Sequence, residues 1–480
     1  MYNEGARISH QSEFLFYIAK YKIIRGEIPT PVGRTEGERV LMETILQFGE
    51  GGFLRGFVDY FIHEMNEKGT YSGKAAVVQP IEKGLVDVLR EQDCKYHLYI
   101  RGLRDGEVVN SRTEIGSISR AINPYEDYEV FLSLAENPDL RFIISNTTEA
   151  GIEYLGTEKL TDRPPKSFPA KLTAFLYRRY ELKLPGFILL PCELIDENGA
   201  NLKACVKKYA ELWELEDGFL DWLETENRFS NTLVDRITPG YPRDDENLEQ
   251  LIADCNGDRL IDTTEPFALW VIEGNYEEEL PLLRSGLPVI WTDDVKPYKK
   301  RKVRILNGAH TSMVPAALLY GLTTVGEAMK DEKVRPFLEK VVKTEILPVL
   351  KPEDAGFALS VFARFENPFI KHRLQSIALN SISKFRVRCL PTMLEYREKF
   401  GKNPEGLCLS LAALVAFYKK GTPDDDPVLT ERMKMGEFRD LLKDAELFGQ
   451  DISVFADDAE KHFDRLMNDD KSFWFAFAEA

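Results

Sequence analysis

Cysteine is scarce in this chain. Six occur in 480 residues (Cys94, Cys192, Cys205, Cys255, Cys389 and Cys408), and no two form a C-x-x-C pair. Such spacing excludes a zinc-ribbon site and a dense disulfide framework, and it fits a reducing, cytoplasmic compartment. Basic residues are also in deficit, with 62 Lys and Arg against 79 Asp and Glu for a formal net charge of −17. Nucleic acid is therefore not an expected partner, since its binders need a basic surface to displace counterions. No run of about 18 apolar residues is present, so a membrane span is not expected. The opening MYNEGARISHQSE lacks the apolar core of a signal peptide. The acids Asp424 to Asp426 read as a solvated loop without metal-ligand spacing, and no metal is expected.

What is present is apolar bulk. Hydrophobic residues make up 44% of the chain, enough for a large core in two or three domains. Residues 1–35 read as a polar extension. Short apolar runs at 43–49, 74–79, 96–100, 141–145, 186–191 and 269–273 read as strands. Helical patterns over 52–68, 167–181 and 201–224 alternate with them. This alternation predicts an α/β domain over 36–295, a Rossmann-like doubly wound parallel sheet. From residue 296 to 480 the patterns are mostly helical, at 314–329, 333–344, 367–382, 407–418, 429–447 and 454–467, which predicts an all-α C-terminal domain.

Gly49-Glu-Gly51-Gly52-Phe53-Leu-Arg55 falls between the first strand and the first helix. Gly49 permits a tight turn, Gly51 permits close approach of a pyrophosphate, and the helix N-terminus faces the phosphates. The third glycine of the usual fingerprint is absent, with Leu54 in its place, and Arg55 is a candidate partner for phosphate. Phe48, Gly52 and Phe53 flank the turn and join the candidate dinucleotide-contacting set, although the stripe Phe53, Phe57, Phe61 reads as core. The second strand ends in Gln79 rather than in the acid that holds an NAD ribose. Gln79 is a candidate ribose contact, and NAD versus NADP stays open from these residues. Asn146, Thr147, Thr148 and Glu149 follow another strand end, where a doubly wound sheet places its ligand.

Lys302, Asn307 and His310 stand at i, i+5 and i+8. On a regular α-helix Asn307 lies about 140° from Lys302, with His310 between them. A lysine whose charge is disfavoured by burial exchanges protons with an alcohol, and an asparagine stabilises a developing oxyanion. That set suits acid–base chemistry at a carbinol carbon. The competing reading is one more solvated cation in the run Lys299 to Lys302.

The segments QFGEGGFLRGF (47–57), ISNTTEAGI (144–152), LPCELIDENG (190–199), LVDRITPGYP (233–242), DDVKPYKKRKVRILNGAHT (293–311) and ARFENPFI (363–370) occur in an order that resembles the mannitol dehydrogenase family of long-chain, metal-independent polyol dehydrogenases. The resemblance implies NAD as hydride carrier, a cleft between a Rossmann-like domain and a helical domain, Lys302 as acid/base, Asn307 polarising the substrate oxygen and His310 binding substrate. It also places Asp235 of the VDR motif at the active site. Many members read C-D-N where this chain reads Cys192-Glu193-Leu194, and Leu194 supplies no second amide donor. That departure agrees with the keto-hexuronate branch, which implies reduction of tagaturonate to altronate. An uncharged polyol or fructuronate is the alternative substrate, and a dinucleotide-binding sensor without turnover is a reading of another class. A carboxylated substrate needs a cation, for which Arg364 and Lys384 are candidates and His372 a weaker one. The expected partner is thus a small sugar acid, bound by a monomer or small homo-oligomer.

Overall fold

The computed structural model describes residues 41–148 and 150–468; the expected extension 1–35 and Glu149 lie outside the described residues. Among the described residues twelve strands follow in chain order: β1 (Met42–Phe48), β2 (Gly73–Val78), β3 (Tyr96–Arg104), β4 (Glu107–Ile115), β5 (Ile118–Ile122), β6 (Phe142–Ser145), β7 (Ile188–Pro191), β8 (Arg228–Phe229), β9 (Thr232–Asp235), β10 (Asp262–Thr264), β11 (Leu269–Glu273) and β12 (Val289–Thr292). Six of them form a wholly parallel sheet in the order β5-β2-β1-β6-β7-β8. Renumbered within the sheet this is 3-2-1-4-5-6, the doubly wound order, with its reversal between β1 and β6. The central strands β6 and β7 are covered on both faces, so Phe142 to Ser145 and Ile188 to Pro191 are buried at every position rather than alternating.

Two of the expected strands belong elsewhere. β3 pairs antiparallel with β4 and parallel with β10 in a separate three-stranded sheet. β11 lies between β9 and β12 in another. The hairpin β3–β4 is inserted between β2 and β5, and its outer strand is largely exposed, which is why its apolar signal is weak in sequence. The helix expected over 201–224 is broken into Asn198–Leu212 and Asp217–Glu226, with Glu214 between them at a φ of 50°.

After β12 the described regular elements are all helices. The helix Glu405–Lys420 is buried from Gly406 to Tyr418 and packs against Gly308–Tyr320 and Ala456–Met467. A helix apolar on all sides is a core helix. The helix expected over 367–382 does not form; only Leu374–Ile377 and the region from Ser381 are helical. Asn367 instead donates its side-chain amide to the Arg101 carbonyl (3.0 Å) and accepts from the Phe369 N–H (3.0 Å), so the segment straps the helical part to β3.

Candidate active site

Gly49 ends β1 at a φ of +114°, and a Cβ there would lie 2.7 Å from the Asn146 carbonyl oxygen. Both facts require glycine, because the turn must pass the end of β6 with no side chain between them. Gly51 differs. Its φ of −68° and ψ of 165° suit any residue, and a Cβ on it would meet nothing within 4 Å. The space above Gly51 is therefore open at the N-terminus of the helical run 52–67, where a phosphate is favoured. The two glycines predict opposite outcomes. Gly51→Ala keeps the melting temperature within about 2 °C, since it strains nothing, and weakens NADH binding at least about tenfold (about 1.4 kcal/mol) by occupying the phosphate's space. Gly49→Ala lowers stability itself. Calorimetry and fluorescence titration on both variants check this, and wild-type affinity in Gly51→Ala would remove the phosphate from that place.

Several candidate dinucleotide contacts have other work. The Phe48 ring is buried against Phe131 and Phe168. Phe53 is half-buried and stacks on Phe57 with ring centroids 5.2 Å apart. The five residues Arg55–Asp59 form a π turn, which faces Arg55 inward. Its guanidinium is buried beside Asp262 (3.9 Å) and over the Tyr96 ring (5.3 Å). Burial pushes the Asp262 carboxyl up to about 6, with Arg55 opposing the rise, and pushes Asp59 up to about 7, with a hydrogen bond from Gln47 opposing it. Gln79 donates to the carbonyls of Ile81 and Glu82 and accepts from the Val86 N–H, so it holds the following loop together rather than reaching out to a ribose. Glu50, two residues past the end of β1, brings a buried carboxyl beside Gln79. Its carboxylate accepts from the Leu85 N–H (3.1 Å), and a Cβ on Gly84 would strike both Glu50 and Gln79.

At the end of β6, Asn146 donates to the Cys192 carbonyl (2.7 Å). Thr147 donates its N–H and its hydroxyl to Glu193, each at 3.0 Å, and Ser145 donates to the other Glu193 oxygen. Thr148 adopts a φ of 74°, which turns the chain away after the strand. Glu193 is thus the buried tie between the ends of β6 and β7, while the neighbouring Leu194 is 59% exposed and offers no donor. Asn198 starts the helix Asn198–Leu212. Its amide donates to the carbonyls of Pro191 and Glu193 and its oxygen accepts from the Thr232 N–H, which fixes β9 against β7.

β9 delivers Asp235, and the helical run 296–320 delivers Lys302, Asn307 and His310. This run is not regular. Val303–Asn307 is a π turn, closed by i→i+5 hydrogen bonding. The extra residue in that turn brings Asn307 about one wide turn above Lys302, instead of about 140° around a regular helix. Among the described residues the Asn307 carboxamide has no hydrogen-bond partner, and it is half-buried.

The basic run resolves residue by residue. Lys296 meets Glu197, Lys299 meets Asp196, Lys300 meets Glu395 and Arg301 faces Asp354. Arg304 takes Glu395 and Thr392. Lys302 turns inward. Its side chain is 16% exposed, and its ammonium donates to the Val234 carbonyl (2.8 Å) and lies 3.6 Å from Asp235. Burial lowers its proton affinity below that of an ordinary lysine, the Asp235 carboxylate opposes this, and Arg364 adds to the lowering. The nearby cation that lowers it is Arg364, which lies 62 residues further along the chain, rather than a neighbour within the basic run. Burial alone would raise the Asp235 carboxyl, but Lys302 and Arg364 together hold it below its usual value.

His310 is buried, its ring stacked on Phe365 (4.0 Å) and edge-on to His372 (5.2 Å), and its Nε2 has no partner among the described residues. Burial holds it neutral, far below the usual imidazole range, and the surrounding His372, Arg364, Arg388 and Lys384 push the same way. Arg388 reaches Thr311 Oγ1 at 3.4 Å from the helix Ser381–Arg388, which also carries Lys384. Lys384 and Arg388 are spaced i, i+4 and so share one face of that helix; only Lys384 was expected from the sequence. Lys384 also donates to the Ile377 carbonyl (2.8 Å). Arg364, the other candidate for a substrate carboxylate, is already engaged. It is buried, forks onto both oxygens of Asp235 (2.8 and 3.0 Å) and donates to Glu265 (3.0 Å).

The family model for the mannitol dehydrogenase Rossmann domain matches residues 43–284, and that for the mannitol dehydrogenase C-terminal domain matches 294–457. The chain belongs to the mannitol dehydrogenase family. Within it, the chain is 49% identical over 401 residues to the altronate oxidoreductase of Bacillus subtilis (strain 168), covering 82% of this chain and 83% of that one. It is 46% identical over 411 residues to the altronate oxidoreductase of Phocaeicola vulgatus, covering 82% and 85%. The fold is shared with Pseudomonas fluorescens mannitol 2-dehydrogenase, solved as a ternary complex with NAD and D-mannitol, at a TM-score of 0.69 and 22% identity over 92% of this chain and 94% of that one.

Proposed function

We propose that this chain interconverts D-tagaturonate and D-altronate, reducing the keto acid with NADH. The observation that carries the reading is the inward-turned Lys302, held by Asp235 and Val234 one π turn below an Asn307 without a partner among the described residues, on the helical run that also carries His310 with His372, Lys384 and Arg388 around it. Two relatives at 49% and 46% identity bear the name altronate oxidoreductase, which fits a substrate with both a ketone and a carboxylate.

The residues present fit a dinucleotide. The open space over Gly51, the side-chain-free passage at Gly49 and the strand end at Asn146 to Thr148 would hold it, with the Glu50 carboxylate disfavouring a 2′-phosphate beside Gln79. NADH, when bound, supplies the hydride that the reduction needs. Asn307 donates a hydrogen bond to the carbonyl oxygen as negative charge builds there. Lys302 releases its proton to that oxygen, and in the reverse direction the neutral amine takes it back. The ammonium is positioned by the Val234 carbonyl and Asp235 from one side, so the proton leaves along a fixed direction. Neutral His310 has a free Nε2 for a substrate hydroxyl, and Lys384 and Arg388 offer positive charge to the carboxylate.

The test is a set of parallel initial rates with tagaturonate, fructuronate and fructose, each with NADH and with NADPH. The expected order places tagaturonate with NADH at least about tenfold above every other pair in kcat/KM. Fructose matching tagaturonate would overturn the carboxylate reading. Fructuronate ahead would move the chain to the alternative keto-hexuronate.

A further inference from the structure

Arg364 is the centre of a buried chain of alternating charge. It sits in the last turn of the helix Ala355–Phe365, and its guanidinium lies over the Phe267 ring at 4.4 Å. Nη1 and Nη2 donate to the two oxygens of Asp235 at 3.0 and 2.8 Å. Nε donates to both oxygens of Glu265 at 3.0 Å, and Nη2 also lies 2.8 Å from Glu265. Glu265 follows β10 and accepts from the Ile237 N–H at 2.6 Å. The side chains of Arg364, Asp235 and Glu265 are 3%, 3% and 1% exposed, so water does little to screen them. Asp235 then meets Lys302 at 3.6 Å.

The order of charges is Glu265 (−), Arg364 (+), Asp235 (−), Lys302 (+). With Lys302 protonated the four sum to zero; with Lys302 neutral they sum to −1. A buried group of charges favours the balanced state. Without Glu265, Arg364 and Asp235 would cancel, and a proton on Lys302 would leave an unbalanced positive charge. Glu265 stands beyond Arg364 and acts on Lys302 through its charge, which favours the protonated amine. Lys299, on the same helix as Lys302, opposes protonation, and the buried cation Arg236, whose Nε donates to the Glu265 carbonyl (3.0 Å), stands at the far end of the chain beside Glu265.

We propose that Glu265 and Arg364 are positioning residues for the proton transfer: Arg364 fixes the Asp235 carboxylate under Lys302, and Glu265 balances Arg364 so that Lys302 stays loaded with the proton that reduction consumes. This rests on the reading of Lys302 as the acid/base.

The test compares Glu265→Gln with wild type in both directions across pH. Reduction needs protonated Lys302 and falls as pH rises through its titration. In Glu265→Gln that descending limb moves to lower pH by at least about half a unit (about threefold in proton affinity), and reduction near neutral pH loses more than oxidation. Glu265→Asp returns the limb towards wild type. Arg364→Lys keeps the charge but not the fork, so it lowers kcat with a smaller movement of the limb. A merely structural role would lower both directions equally and leave the limb in place, and that result overturns the proposal. A second readout needs no turnover. Competitive labelling of Lys302 with acetic anhydride, followed by mass spectrometry across pH, reports the same shift directly. Labelling that shifts in an enzyme inactive on every sugar acid sinks the substrate reading and keeps this one. Turnover with an unshifted Glu265→Gln does the reverse.

Discussion

Lys302→Ala lowers turnover of the keto acid by about 10²–10⁴-fold, the usual contribution of a positioned general acid, while NADH binds as tightly as before. The ammonium donates to the Val234 carbonyl and faces Asp235, both at the end of β9, whereas the dinucleotide turn lies at the ends of β1 and β6. Removing the amine therefore takes away the proton donor and leaves the phosphate cradle intact. The loss should fall on kcat and kcat/KM together, as for an interaction realised in the transition state. Stopped-flow measurement of NADH binding beside steady-state rates separates the two. Near-normal kcat would remove Lys302 from the chemistry, and a parallel loss of NADH affinity would show that the helix had moved instead.

Arg364→Met destabilises the folded chain by about 3–5 kcal/mol, the cost of removing one partner from a buried ion pair. Two carboxylates depend on this guanidinium, and Lys302 compensates only Asp235. The sign of the pH dependence follows. Without Arg364, burial raises the folded-state proton affinity of Glu265 with its main opposing cation gone, and Asp235 loses one of the two cations that hold its affinity down. Such carboxylates are penalised where the unfolded chain would be ionised, and the penalty fades as pH falls towards about 4. The gap between variant and wild type in urea midpoint should therefore narrow under acid. A gap that is small at neutral pH, or that widens under acid, contradicts the assignment of the network.

Much of this architecture is legible in the residues because it rests on local signals. The turn at Gly49 follows from glycines between an apolar run and an amphipathic one. The site helix follows from the Lys302, Asn307, His310 spacing. What stays hidden is set by partners far away in the chain. Asp235 and Arg364 are 129 residues apart, so nothing near either one shows that Arg364 is already engaged. Arg55 reads as a phosphate ligand because it follows a glycine turn, yet the π turn at 55–59 and the buried Asp262 draw it inward. Both π turns, at 55–59 and 303–307, are choices of tertiary packing that local propensity does not encode. β3 and β11 read as members of the parallel sheet because an apolar run records burial but not the neighbour that provides it.

The pairing of the basic run gives the site helix a mechanical character. Lys296 and Lys299 are tied to the 196–197 corner, Lys300 and Arg304 to Glu395, and Arg301 to Asp354. Each exposed tie is weak by itself, but they pull from different sides of one rod. Turning that rod by a single residue, about 100°, would break all of them together. The segment 296–304 is in effect torsionally clamped, and Lys302 projects from the clamped shaft towards Asp235. A proton can then come and go at its tip while the shaft keeps its angle.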